Sequence, residues 1–171
     1  MGSYPFSIAQ TCQAKRDCHG LFERISIRDL PTILEGVQEA SGGSSRAIPA
    51  IAAHVRARLA RQISDSMTGP GGYIPLITLS PEWEAAFMES LTGPAEDRQL
   101  AMAPSKLQDF MQRLRAAFDT AARGGETPVL LTSGAVRFHV RAIVERIRPA
   151  TAVLAQSEIF PRARIRTVGT I

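Results

Sequence analysis

Apolar residues recur every three or four positions along most of this chain, and glycine- and proline-rich breaks divide the recurrence into segments. The first stripe is Leu30, Ile33, Leu34 and Val37, which predicts a helix over about 29–40. Asp29 is placed to cap its free N–H groups, and Pro31 falls in the first turn, where a missing N–H costs nothing. SGGSS at 41–45 breaks the period. Ile48, Ile51, Val55, Leu59 and Ile63 then predict one helix over about 47–66, with Arg56, Arg58 and Arg61 mostly off the stripe. After the turn TGPGG at 68–72, the run YIPLITLS (73–80) reads as a strand. Pro75 cannot donate to a ladder, so this strand is expected at a sheet edge.

Ser80-Pro81-Glu82 is a helix entry, with a capping serine, a proline in the first turn and an acid at the positive end. Trp83, Phe87 and Leu91 share one face of the helix it opens, and Thr92-Gly93-Pro94 closes it. Residues 95–103 read as a loop. Ser105 and Gln108 make a capping-box pattern before a helix that buries Leu107, Phe110, Met111, Leu114 and Phe118 and stops at Gly124-Gly125. A compact alternation follows: a buried strand at 128–133, a helix at 135–148, a strand at 152–158 and a last strand near 164–170. Val136, Val140, Ile143 and Ile147 point inward from that helix. A strand–helix–strand unit with short loops is usually a crossover between parallel strands. The fold class is therefore α+β: a helical part with one short strand, then a small α/β unit.

The totals narrow the function classes. At 171 residues the chain holds one domain or two small ones, and 44% hydrophobic with 21% charged residues is ordinary for a globular protein. No apolar run is long enough for a membrane span, and no signal peptide is legible, so this piece is expected in the cytoplasm. The net charge of +4 raises nucleic acid as a partner. The basic residues, however, are spread over several helices with only 6% aromatics, whereas stacking platforms want exposed rings beside a basic groove. No nucleic acid is expected. Cys12 and Cys18, with His19 adjacent, lack the paired spacing of a zinc site and read as free thiols in a leader, residues 1–20, that carries no sustained period.

No catalytic constellation presents itself, and neither a metal nor a cofactor is called for. Ser133-Gly134 faintly suggests a nucleophile elbow, but Thr132 stands where such an elbow needs glycine, so Ser133 is read as the cap of the next helix. His54 and His139 have no second ligand at metal spacing. Arg137, Arg141 and Arg148 fall on one helical face. They form either a solvated face or a contact with an acidic partner or neighbouring subunit, where forked guanidinium donors suit carboxylates.

Three segments, in order, carry a family resemblance. ISIRDLPTILE (25–35) resembles the "(V/I)SIRDL-x-TILE" segment of the bacterial type III export-gate family (FHIPEP). TPVLLTSGAVRFHVRAIVERIRP (127–149) is similar to its "PVLL-x-S…R…LR…ERxxP" block, and AVLAQSEIFPRARIRTVGTI to its closing strands. The likeness runs from about Leu21 to Ile171; Gly134 departs from a usual proline and Pro31 from a usual basic residue. It implies a C-terminal piece of a larger gate: residues 21–44 end a first cytoplasmic subdomain otherwise missing here, 45–103 form a third and 104–171 a fourth. It further implies a non-enzymatic role in protein secretion and flagellum assembly. Such gates, set in the bacterial inner membrane, form homo-oligomeric rings, dock export chaperones and substrates, and meet other components of the export apparatus. Of the chaperone site only a rim would remain, at Ile25 and Thr32. A gate of a virulence injectisome and a generic basic nucleic-acid-binding module are the alternatives.

Overall fold

The computed structural model describes residues 29–42, 47–94 and 98–171. The proposed leader, Cys12, Cys18, His19 and Ile25 lie outside them. Three layers are seen. A parallel sheet in the order β5-β4-β1-β6 separates two groups of helices. Its strands are β1 (Ile74–Thr78), β4 (Val129–Thr132), β5 (Val153–Ala155) and β6 (Ile165–Thr170). One face carries α1 (Leu30–Ser41), α2 (Ile48–Arg58) and α3 (Ala60–Met67). The other carries α4 (Pro81–Glu89), α5 (Pro104–Arg123) and α6 (Arg137–Ile147).

The side-chain alternation of a strand explains both cores. Ile74 and Leu76 join Ile33, Val55, Leu59, Ile63, Val129 and Leu154 under the first three helices. Ile77 and Leu79 join Trp83, Phe87, Phe110, Leu114, Leu130, Val140 and Val144 under the others. Phe110 is the hub of the second core, 5.2 Å from the Trp83 ring and 5.0 Å edge-on to Phe87. The α6 stripe is buried against the sheet through Val136, Val140 and Ile143, with Ile147 partly covered. The α+β fold class is thus the one observed, and the sheet draws β1 from before position 103 and its other strands from after it.

Several local expectations are corrected. Pro75 is not on an edge strand, because β1 lies between β4 and β6. Ile74 donates its N–H to Arg164 on the β6 side. By alternation the missing Pro75 donor faces β4, where the ladder starts only at Leu76 and Val129. The helix expected over 47–66 breaks at Leu59 into α2 and α3. Leu91, expected on the helix face with Trp83 and Phe87, lies beyond that helix, and β2 (Leu91–Thr92) pairs antiparallel with β3 (Gln99–Leu100), a segment that reads as loop in the sequence. The strand expected to run through 158 stops at Ala155 and turns into a short 3-10 segment, Gln156–Glu158. No serine cap forms at α4, α5 or α6. Ser80 sits at the cap position without a side-chain bond, Ser105 lies inside α5 after Ala103 and Pro104, and α6 begins at Arg137 rather than beside Ser133. Gly125 ends α5 as expected: at φ 77° it lets Glu126 N–H return to the Ala121 carbonyl at 3.1 Å.

Candidate functional site

The N-terminal end of α1 is tied down from two directions. Asp29 Oδ1 accepts the Thr32 N–H at 3.4 Å, and Asp29 Oδ2 accepts from Gln62 Nε2 of α3 at 2.7 Å. Thr32 is therefore half-buried beside a fixed cap. Ile33 turns into the core, and Gly36 allows α2 to approach, since a Cβ there would stand 3.2 Å from Val55 Cγ2. Leu30 and Leu34 are left 53% and 42% exposed. The helix thus folds back onto α2 with half of its apolar stripe and presents the other half outward.

Charge stitches the flank of the same helix pair. Arg58 donates to Glu39 and, at 3.1 Å, to Glu35, while His54 Nε2 lies 3.1 Å from Glu39. The Arg58 guanidinium first, and His54 second, hold the Glu39 carboxyl below the usual carboxylate range. Glu39 in turn raises Arg58.

A second cluster lies in the interior. Arg56 Nη2 of α2 donates to Glu158 Oε2 at 2.6 Å, and Arg137 Nε of α6 lies 3.0 Å from Glu158 Oε1. Arg137 Nε also donates to the Val153 carbonyl at 3.1 Å. All three side chains are buried, so the 3-10 turn after β5 clamps a helix from each layer. Sequence reasoning missed this triad. Arg56 read as an off-stripe surface residue, and Glu158, though part of the closing string that resembles the family, was given no role.

The arginine row resolves into three environments. Arg137 is in the triad, and Arg141 donates to the Thr151 carbonyl at 2.7 Å. Arg148 reaches Asp119 at 2.9 Å and lies over the Phe118 ring at 5.3 Å. Each is used within its own chain, and the Arg148 side chain keeps 32% of its surface open to water. The Ser133 N–H donates to Glu84 Oε1 at 2.8 Å. His139 is held below its ordinary pKa by burial first and by the charge of Arg98 second. Among the described residues no group of three or more His, Cys, Asp or Glu is placed to hold a metal, and no helix is long and apolar enough to cross a membrane.

An all-parallel sheet thus lies between two helical layers, and a buried arginine–glutamate triad ties the layers together. Residues 19–164 match the FHIPEP family, and the chain belongs to that family of type III export-gate proteins. It is 54% identical over 151 residues to flagellar biosynthesis protein FlhA of Caulobacter vibrioides, covering 88% of this chain and 21% of that protein. The chain thus spans about a fifth of the length of the curated relative it matches. Among solved structures, nonameric SctV-C from EPEC shares the fold with a TM-score of 0.76 at 21% identity, over 95% of this chain and 50% of that one. The Chlamydia pneumoniae CdsV protein, in complex with CdsO, gives a TM-score of 0.75 at 27% identity, over 99% of this chain and 52% of that one.

Proposed function

We propose that this chain is the C-terminal cytoplasmic portion of a flagellar type III protein export gate, and that it serves secretion by helping to build the ring in which export substrates are docked. The 54% identity to FlhA of Caulobacter vibrioides carries the flagellar reading. Ring formation is supported by the likeness to SctV-C, which is nonameric. Contact with another component of the apparatus is supported by the likeness to CdsV, whose structure holds CdsO. In this reading α1 closes a first subdomain, 45–103 and 104–171 act as third and fourth subdomains, and Ile25 and Thr32 form the rim of a chaperone-docking surface. Arg148, with its partly open guanidinium, is the member of the arginine row left to meet an acidic neighbour. The role is one of docking and assembly, not of catalysis.

The test is a chimeric gate in which residues 21–171 replace the matching segment of Caulobacter vibrioides FlhA in a strain lacking its own. Restored swimming and export of flagellar substrates are expected. A chimera that inserts and accumulates normally yet supports injectisome secretion instead of motility overturns the flagellar reading.

A further inference from the structure

Strand β6 is an edge strand, paired with β1 on one side and with no strand on the other among the described residues. The Ile74 N–H bonds Arg164, so alternation turns the N–H and C=O of Ile165 and Thr167 away from β1. These groups form an open half-ladder. Ile165 is 53% exposed beside it, an unusual setting for a β-branched apolar side chain at a sheet edge.

The approach to β6 is strongly basic. A cleft of about 470 Å³ lies between α3 and the segment leading into the strand, lined by Arg61, Asp65, Phe160, Arg162 and Arg164 among others. Its walls are fixed: the Phe160 N–H donates to Ser64 Oγ at 2.8 Å, and Thr68 Oγ1 donates to the Ser64 carbonyl at 2.8 Å. Arg166, by contrast, is engaged by Tyr73 and Glu126. Among the described residues Arg61, Arg162 and Arg164 pair with no carboxylate, although all three are exposed and converge on this one cleft.

We propose that the open edge of β6 and the arginine cleft at its start form one binding site for an extended acidic peptide segment, which adds to the sheet as a further strand. Three features select this occupant. An open strand edge offers backbone donors and acceptors that only another peptide backbone can pair with in register. Guanidinium groups without partners select carboxylates, through forked hydrogen bonds. The same positive charge repels the β6 edge of a second copy, as charged edges generally deter like pairing. Asp65 in the cleft disfavours a dense phosphate backbone, and exposed Ile165 gives one apolar contact between acidic positions. The preferred segment alternates acidic and apolar residues.

The experiment measures fluorescence anisotropy of a short labelled peptide of alternating Glu and Val against the purified chain. Its controls are the same peptide N-methylated at alternate amides, an alternating Lys–Val peptide and an oligouridylate. Saturable binding is expected for the acidic peptide alone, weakened about ten-fold by the R162E/R164E pair and by raised salt. Thr167→Pro removes an outward N–H without touching the β1 ladder and is expected to weaken binding similarly with unchanged melting. If that variant does not fold, N-methylation of the peptide reports the same bonds on the unaltered chain. Equal binding of the N-methylated peptide or of oligouridylate overturns the proposal, as does insensitivity to R162E/R164E. Dimerisation of the chain through β6, abolished by Thr167→Pro, would likewise overturn the choice of occupant.

Discussion

Arg56 and Glu158 are 102 positions apart in the chain, yet they meet at 2.6 Å with both side chains almost completely excluded from water. Arg137 completes the group from the opposite helical layer. Two guanidiniums on one carboxylate make Glu158 the indispensable member. Its replacement by Ala leaves both cations buried without their carboxylate, a loss of about 3–5 kcal/mol. Arg56→Met leaves the Arg137–Glu158 pair intact and is expected to cost clearly less. Urea denaturation of the two variants checks the order, and an equal or reversed ranking would show that the triad is not organised around Glu158.

The apolar stripe of α6 gives a sharper contrast within one helix. Ile143 faces the sheet, whereas Phe138 is 42% exposed. Ile143→Asp buries a charge without a partner and should unfold the sheet-and-helix unit at ordinary temperature, since several kcal/mol is comparable with a domain's whole stability. Phe138→Asp should leave thermal melting nearly unchanged. Circular dichroism melts distinguish them, and similar melting of both would contradict the orientation of α6.

That stripe was legible in the sequence because helical burial is a local property of spacing. So was the Asp29 cap, which needs only residues within one turn. The interior place of β1 was not legible. Pro75 reads as an edge residue unless it is known that β4 pairs from Leu76 onward, and that fact is set by a segment more than fifty positions away. The break at Leu59 hides for a related reason, since Val55, Leu59 and Ile63 keep the helical period across it. Glu158 was invisible as a site because its partners come from α2 and α6, and no pattern in sequence joins them. The family, in contrast, was legible from short strings alone, while the rim residues it implied fall partly outside the described chain.

His139 makes stability depend on pH. Its folded pKa lies below 6.5 because burial disfavours the charged ring, with Arg98 adding repulsion. The unfolded chain therefore binds more protons between the two values, and stability falls as pH drops from about 6.5 through the folded pKa. Above that window the contribution is fully present. Urea midpoints across the window should decline for the parent chain and decline less for His139→Gln. A parallel decline in both would assign the slope to other groups.

Gly36 sets how closely α1 and α2 approach. A methyl group would meet Val55 Cγ2 at 3.2 Å and Arg58 Cδ at 3.3 Å, and Arg58 has a flexible side chain that can yield. Gly36→Ala is thus expected to be tolerated, because helix propensity gains up to about 1 kcal/mol against the crowding. Gly36→Leu cannot be accommodated and should separate α1 from α2, releasing the Glu35 and Glu39 contacts of Arg58. Amide hydrogen exchange on α1 reads the difference directly. Retained protection in the leucine variant would show that the contact is looser than the packing implies.

The outer half of the α1 stripe bears on self-association. Leu30 and Leu34 are one turn apart and exposed, while Ile33 and Val37 of the same helix are taken up by α2 and α3. Neighbouring exposed leucines on one face of a helix form an apolar patch that water disfavours, and such patches mark contact surfaces. The isolated chain is accordingly expected to associate reversibly as its concentration rises. Leu30→Ser with Leu34→Ser should abolish that association and leave stability nearly unchanged, since neither side chain is buried. Static light scattering over a concentration series measures the effect. Strictly monomeric behaviour of the parent chain would show that two exposed leucines do not suffice for contact, and association that survives the double substitution would place the surface elsewhere.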